Sequence, residues 1–174
     1  MELSSQASFS DAHEILQLPL IAANLHRVIR PEQSQIWSVM RKDDTDARIF
    51  YSMCATFLGR MGLSGDIYDL SDHQWELVDS AIAYYHKAAS IIQRGETTCL
   101  AADTISYNEP TGGQLVIRTF ERKTLVVYHR FKDSVSITAF AEANGIELDL
   151  GDPIDSYGCA DHDFSAESYI LEAT

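Results

Sequence analysis

The chain has 174 residues, of which 45% are hydrophobic and 22% charged, enough apolar material for a globular core and too much for a disordered chain. Its formal net charge is −13, from 26 acids against 13 Lys and Arg, and from Asp133 to Glu172 the acids run on without any Lys or Arg. Nucleic acid and anionic membrane are therefore poor partners, and the acidic end reads as a solvated face rather than a cation site. The 3 cysteines, Cys54, Cys99 and Cys159, form no C-x-x-C pair, as expected of inert thiols in a reducing compartment. The first residues lack the basic start and apolar run of a secretory signal, and no window reaches the ~18 apolar residues of a membrane span, so a cytoplasmic protein is expected.

In chain order, Pro19 suits the first turn of a helix, where the N–H it lacks would have no partner. Ile21, Leu25, Val28 and Ile29 would share a face, and Pro31 would stop the helix. Residues 35–40 (QIWSVM) read as a short buried strand and 41–46 as a charged loop. Asp43 or Asp44 would cap a second helix with Ile49, Phe50, Met53, Cys54, Phe57 and Leu58 at spacings of three and four. Residues 61–63 would be another buried strand. Its following loop holds Ser64, Gly65, Asp66 and Asp69, small and acidic residues of the kind found where a βα unit meets its ligand.

A third helix follows. Ser71 and Gln74 match an S-x-x-Q capping box, with Leu70 and Trp75 as the hydrophobic staple. Trp75, Val78, Ile82, Tyr85, Ala89 and Ile92 form one stripe, and Leu77, Ala81, Tyr84, Ala88 and Ile91 a second beside it. More than half the circumference is apolar, which predicts that the chain alone pairs with a partner or aggregates. Arg94 and Gly95 would end the helix as a cation at the dipole's negative end and a C′ glycine.

Near residue 95 the apolar spacing changes from helical to short runs rich in Val, Ile, Thr, Tyr and Phe, which marks a domain boundary. Strands are expected over 104–107, 114–120, 125–131, 135–140, 146–150 and 168–171, with Asn144-Gly145 as a hairpin turn. The fold class is thus α/β plus all-β. Residues 1–95 would be terminal βα units of an incomplete (β/α)8 barrel, which needs about 250 residues when complete, and 96–174 a C-terminal antiparallel sheet or sandwich.

The segments 13–14 (HE), 19–27 (PLIAANLHR), 33–37 (QSQIW), 57–60 (FLGR) and 63–66 (LSGD), followed by a Trp-bearing helix and a strand-rich end, carry a resemblance as an ordered series. Over residues 8 to 140 the chain resembles the C-terminal portion of an α-galactosidase of the melibiase type, a retaining glycoside hydrolase. The resemblance implies a carbohydrate substrate, a terminal α-galactoside, and no cofactor.

Retaining glycosidases need two carboxyl groups about 5–5.5 Å apart, one attacking the anomeric carbon and one protonating the leaving oxygen before activating water. The family's nucleophile is an aspartate preceded by lysine and an aromatic residue, and this sequence contains no such segment. The isolated chain is therefore expected to be inactive. The family's acid/base is an aspartate after serine, matched here by Ser10-Asp11, although Phe9 stands where a tryptophan-containing pattern is expected. Asp11 is the candidate acid/base; by itself it also reads as a helix cap or exposed loop acid. Its pKa would have to be raised by burial or by a neighbouring carboxylate.

Ser64, Gly65 and Asp66 are candidates to bind a sugar hydroxyl, with a structural turn as the other reading. Trp37 is a candidate stacking platform or a core residue, whereas Trp75 reads as the staple. The histidines show no ligand spacing, so no metal is expected, and Asp161-His162-Asp163 reads as a solvated turn. The expected partners are the carbohydrate and either the missing barrel half or a second copy. The other class left open is a noncatalytic carbohydrate-binding or assembly module.

Overall fold

The protein is described here by a computed structural model, over residues 7–8, 12–13, 16–101, 108–159 and 161–172. A parallel sheet comes first. Strands β1 (Ala7–Ser8), β2 (Ser34–Met40) and β3 (Arg60–Gly65) lie side by side in that order, all parallel. Parallel neighbours require crossovers, which the helices α1 (Leu18–Leu25) and α2 (Asp46–Thr56) supply, and α3 (Asp72–Arg94) follows β3.

The predicted α3 cap is present as read. Ser71 Oγ accepts from Gln74 N, and Gln74 Oε1 accepts from Ser71 N at 2.9 Å. Three other local readings are corrected. Thr45, not Asp43 or Asp44, caps α2, its hydroxyl accepting from Arg48 N. The helix α1 ends before Val28, which is 76% exposed, and buries Leu18, Leu20, Ala22 and Ala23 instead of the expected face. Gly95 ends α3 with φ −71° rather than in the left-handed region, so backbone freedom is not its role. A Cβ there would lie 2.5 Å from Arg118 Cγ and 2.6 Å from Ile91 O. The glycine makes room for an arginine.

The second part is one antiparallel five-stranded sheet, ordered β4 (Glu96–Ala101), β5 (Gly113–Phe120), β6 (Lys123–Arg130), β8 (Ala166–Glu172), β7 (Asp155–Cys159). The strands expected over 114–120, 125–131 and 168–171 are β5, β6 and β8. The one expected over 104–107 lies outside the described residues. The strand expected over 135–140 is instead helix α4 (Ile137–Ala143), because Ser136 caps it and Ile137, Phe140 and Ala141 fall on one buried face. Asn144-Gly145 is its C-terminus, not a hairpin. Gly145 has φ +73°, and Gly145 N and Ile146 N donate to Glu142 O and Ala141 O, a Schellman arrangement. Residues 146–150 form no strand, yet Ile146, Leu148 and Leu150 pack beside α4 on the sheet.

The helices α1, α2 and α3 lie between the two sheets. The helix α2 packs on β2 and also on β7 and β8, while α3 packs on β5, β6 and β7. One apolar cluster therefore joins Ile36 and Met40 of β2, Met53 and Phe57 near α2, Tyr84 and Ile91 of α3, and Val127, Tyr157 and Ile170 of the large sheet. The second apolar stripe of α3, read above as waiting for a partner, is covered within the chain.

Polar side chains lock this contact, and several from the large sheet donate to carbonyls of the helical layer. Gln114 Nε2 reaches Pro19 O at 3.0 Å, His129 Nε2 reaches Tyr51 O at 3.3 Å and Tyr157 Oη reaches Leu77 O at 3.2 Å. Arg118, 1% exposed, spreads its guanidinium over Leu58 O (3.3 Å), Ile92 O (3.5 Å), Thr97 Oγ1 (2.9 Å) and His26 Nδ1 (3.2 Å). A cation is thereby placed where α2 and α3 end, the negative ends of their dipoles. Burial, and then the Arg118 charge, lowers the His26 pKa to about 4. Burial lowers that of His129 to about 3, so both imidazoles are neutral.

Candidate functional site

In a parallel α/β arrangement, ligands meet the carboxyl ends of the strands, where the βα loops converge. Here those ends are Ser8, Met40 and Gly65. The register pairs Met40 with Gly65, so β2 and β3 finish level. Gly65 has φ +97°, and a Cβ would stand 2.0 Å from Met40 O, a conformation and an approach that only glycine accepts. The chain then crosses the end of β2, and Asp66 N donates to Met40 O at 2.8 Å. The Asp66 carboxylate consequently faces Arg41, with Oδ1 3.5 Å from Nη1. Both side chains are partly exposed, so an acceptor and a donor stand together at the rim. Tyr68, in the 3₁₀ turn Ile67–Asp69, is fully exposed beside them.

The β2–α2 loop is more tightly built than a charged loop suggests. The Asp44 side chain, 7% exposed, accepts from Arg41 N at 2.8 Å through Oδ2 and lies 2.7 Å from His13 Nε2 through Oδ1. The Arg48 guanidinium donates to His13 O, and Tyr51 Oη donates to Leu16 O. The β1–α1 connection is thereby fastened to α2 and its leading loop.

Ser64, Gly65 and Asp66 stand at the carboxyl end of β3, as their position in the sequence indicated. Trp37 lies farther down β2, and its Nε1 donates to Ser8 Oγ at 2.8 Å. Its indole lies on Gly62, where a Cβ would meet Cε3 at 2.8 Å. The register sets Trp37 beside Gly62 and Val39 beside Ser64, so Trp37, Val39 and Ser64 share one sheet face. Ile36, Ser38 and Met40 point the other way into α2, with Ser38 Oγ 2.8 Å from Ser52 Oγ. Trp37 and Val39 belong to neither apolar cluster among the described residues. Asp11 lies outside the described residues.

Arg41, Asp44, His13 and Gln74 were not singled out as site residues. In sequence Arg41 reads as a loop charge, Asp44 as a candidate cap of α2, His13 as part of the resembling segment 13–14, and Gln74 as half of the capping box. Asp161 is exposed, with its pKa lowered by hydrogen bonds from Cys159 and then His162, a local turn as expected. Among the described residues no three His, Cys, Asp or Glu side chains converge as a metal site, and no helix is long and apolar enough to cross a membrane.

No protein-family model and no curated protein matches the chain. Solved structures do. The galactosidase domain of the α-galactosidase–sucrose kinase AgaSK matches 94% of this chain and 25% of its own, with a TM-score of 0.64 at 14% identity. A variant of the GH36 α-galactosidase AgaA from Geobacillus stearothermophilus, solved in complex with raffinose, matches 92% of this chain and 24% of its own, with a TM-score of 0.63 at 15% identity. The α-galactosidase from Lactobacillus brevis matches 81% and 22%, with a TM-score of 0.50 at 12% identity. The chain thus spans about a quarter of the length of these relatives. At such identities the shared property is the fold, and the resemblance carried by the ordered sequence segments extends to it: this chain has the fold of a portion of an α-galactosidase.

Proposed function

We propose that the chain is the C-terminal part of an α-galactosidase-like retaining glycoside hydrolase acting on terminal α-galactosides. The observation that carries this reading is the parallel sheet: helices cover one face, while Trp37, Val39 and Ser64 on the other join neither apolar cluster among the described residues. In a (β/α)8 barrel that second face is the interior, which strands on the far side fill. Residues 1–95 are accordingly the closing βα units of the barrel and 96–174 its C-terminal β domain. The fold shared with about a quarter of the length of each of two α-galactosidase structures supports the same reading.

The proposed roles follow from chemistry. Asp11 is the acid/base; Ser64, Gly65 and Asp66 form one wall of the sugar site, and Trp37 offers an aromatic surface. A retaining mechanism requires a second carboxylate on the opposite side of the sugar. The sequence holds no segment of the nucleophile type, so the chain alone is inactive. A free-standing carbohydrate-binding module is the weaker reading, because both faces of the five-stranded sheet are occupied, one by the helical layer and one by α4 with residues 146–150.

Incubation of the purified chain with 4-nitrophenyl α-galactoside is expected to release no nitrophenol. Joining the chain to a segment that supplies the preceding barrel strands should give retaining hydrolysis that Asp11→Asn abolishes. Turnover by the 174-residue chain alone, lost on Asp11→Asn, would overturn the proposal, as would calorimetric affinity for galactose or raffinose independent of those strands.

A further inference from the structure

Gln74 is 5% exposed, and the capping box uses only half of its amide. Its Oε1 accepts from Ser71 N at 2.9 Å and from Ser71 Oγ at 3.2 Å. Its Nε2 faces three carbonyl oxygens of the β2–α2 loop: Asp44 at 3.1 Å, Lys42 at 3.2 Å and Arg41 at the outer limit of 3.5 Å. Carbonyls only accept and the Ser71 N–H only donates, so the orientation of the amide is fixed.

We propose that Gln74 is a positioning residue for the carboxyl-end rim: one buried amide joins the start of α3 to the β2–α2 loop and, through Asp44 and His13, to the β1–α1 connection. The inference rests on the reading of that rim as the substrate-facing side. The held loop is the one that sets Arg41 opposite Asp66 and Asp44 against His13. A helix cap alone requires only an acceptor at position 74, and glutamate serves as well as glutamine. Fixing the loop requires a donor. The two roles are therefore separable by one substitution.

Gln74→Glu keeps the acceptor toward Ser71 and turns a second acceptor toward the carbonyls of Lys42 and Asp44. The expected result is unchanged α3 helicity by circular dichroism, with about tenfold or faster amide exchange at Arg41, whose N–H is held by Asp44 Oδ2. The His13 ring resonances should move toward those of Asp44→Ala. Ser71→Ala, which weakens the cap but spares the amide donor, should leave the Arg41 amide and His13 ring as they are. Unchanged exchange at Arg41 and unchanged His13 resonances in a folded Gln74→Glu protein would reduce Gln74 to a cap. Should that variant not fold, the unsubstituted protein decides: the Gln74 side-chain amide protons should exchange slowly and show cross-relaxation with residues 42–44, and exchange at the solvent rate would overturn the proposal. No sugar enters these measurements, so their failure leaves the hydrolase reading standing, and a failed hydrolysis assay leaves them unaffected.

Discussion

The two sheets bury their faces differently. The five-stranded sheet is covered on both sides, by α2 and α3 on one face and by α4 with residues 146–150 on the other. The three-stranded parallel sheet has its helices on one side, and its other face carries an indole on a glycine, a valine and a serine. Both faces of the large sheet feed an apolar cluster, whereas the second face of the small sheet joins neither one among the described residues. The helical layer between them serves both, so damage to it should be felt throughout the molecule, and damage to the second face of the small sheet should not.

The largest effect should come from Arg118→Ala. It strands the carbonyls of Leu58 and Ile92, removes the cation from two helix ends and leaves a cavity, for a loss of about 3–5 kcal/mol in urea unfolding. A loss below about 1 kcal/mol would mean that the two parts are held by apolar contact alone.

Acid should act on the same junction. His26 and His129, with folded pKa values of about 4 and about 3 against the ordinary 6.5, bind protons more readily when unfolded. Their stabilisation is complete above pH about 6.5 and declines as the pH falls toward 3–4, by on the order of 3 kcal/mol for each residue. Urea midpoints measured from pH 7 downward would reveal it, and a flat profile would contradict buried neutral imidazoles.

Gly95→Ala should cost about 1–3 kcal/mol, because its Cβ must displace Arg118 or the Ile91 carbonyl while its φ is unstrained. The smallest effect is expected from Trp37→Ala, below about 1 kcal/mol despite the size of the side chain. Phe57→Ala, in the ring cluster with Tyr84 at 4.9 Å and Tyr157 at 5.5 Å, sets the scale at about 3–5 kcal/mol. Equal losses for Trp37 and Phe57 in thermal unfolding would erase the contrast between the sheets.

What was legible in the sequence was local. The Ser71–Gln74 cap, the β2 run and the apolar runs of β5 and β6 announce themselves within a few residues. The helix α4 was misread because Val135, Ile137 and Thr138 are β-branched, and their propensity outweighed the Ser136 cap and the three-four spacing of Ile137, Phe140 and Ala141. The strand β4 went unrecognised because it is an exposed edge with almost no buried side chain, and β7 because Asp155, Ser156 and Gly158 mark a turn in sequence. At the rim, Ser64, Gly65 and Asp66 were visible from their place after a strand. The interactions that organise it span long separations, such as Gln74 with Asp44 and Asp44 with His13, and no window along the chain contains them.

The place of β8 in the sheet sets an order on synthesis. It pairs with β6 on one side and β7 on the other, and it follows every other described strand in chain order. Until residues 166–172 emerge, α2 must wait with part of its apolar flank uncovered, and β7 has no neighbour within the sheet. Folding is therefore dominated by distant contacts and completes late, which favours slow kinetics and a need for protection in the interval. A nascent chain stalled before β8 should be the aggregation-prone species, and one carried past residue 172 the one that escapes it.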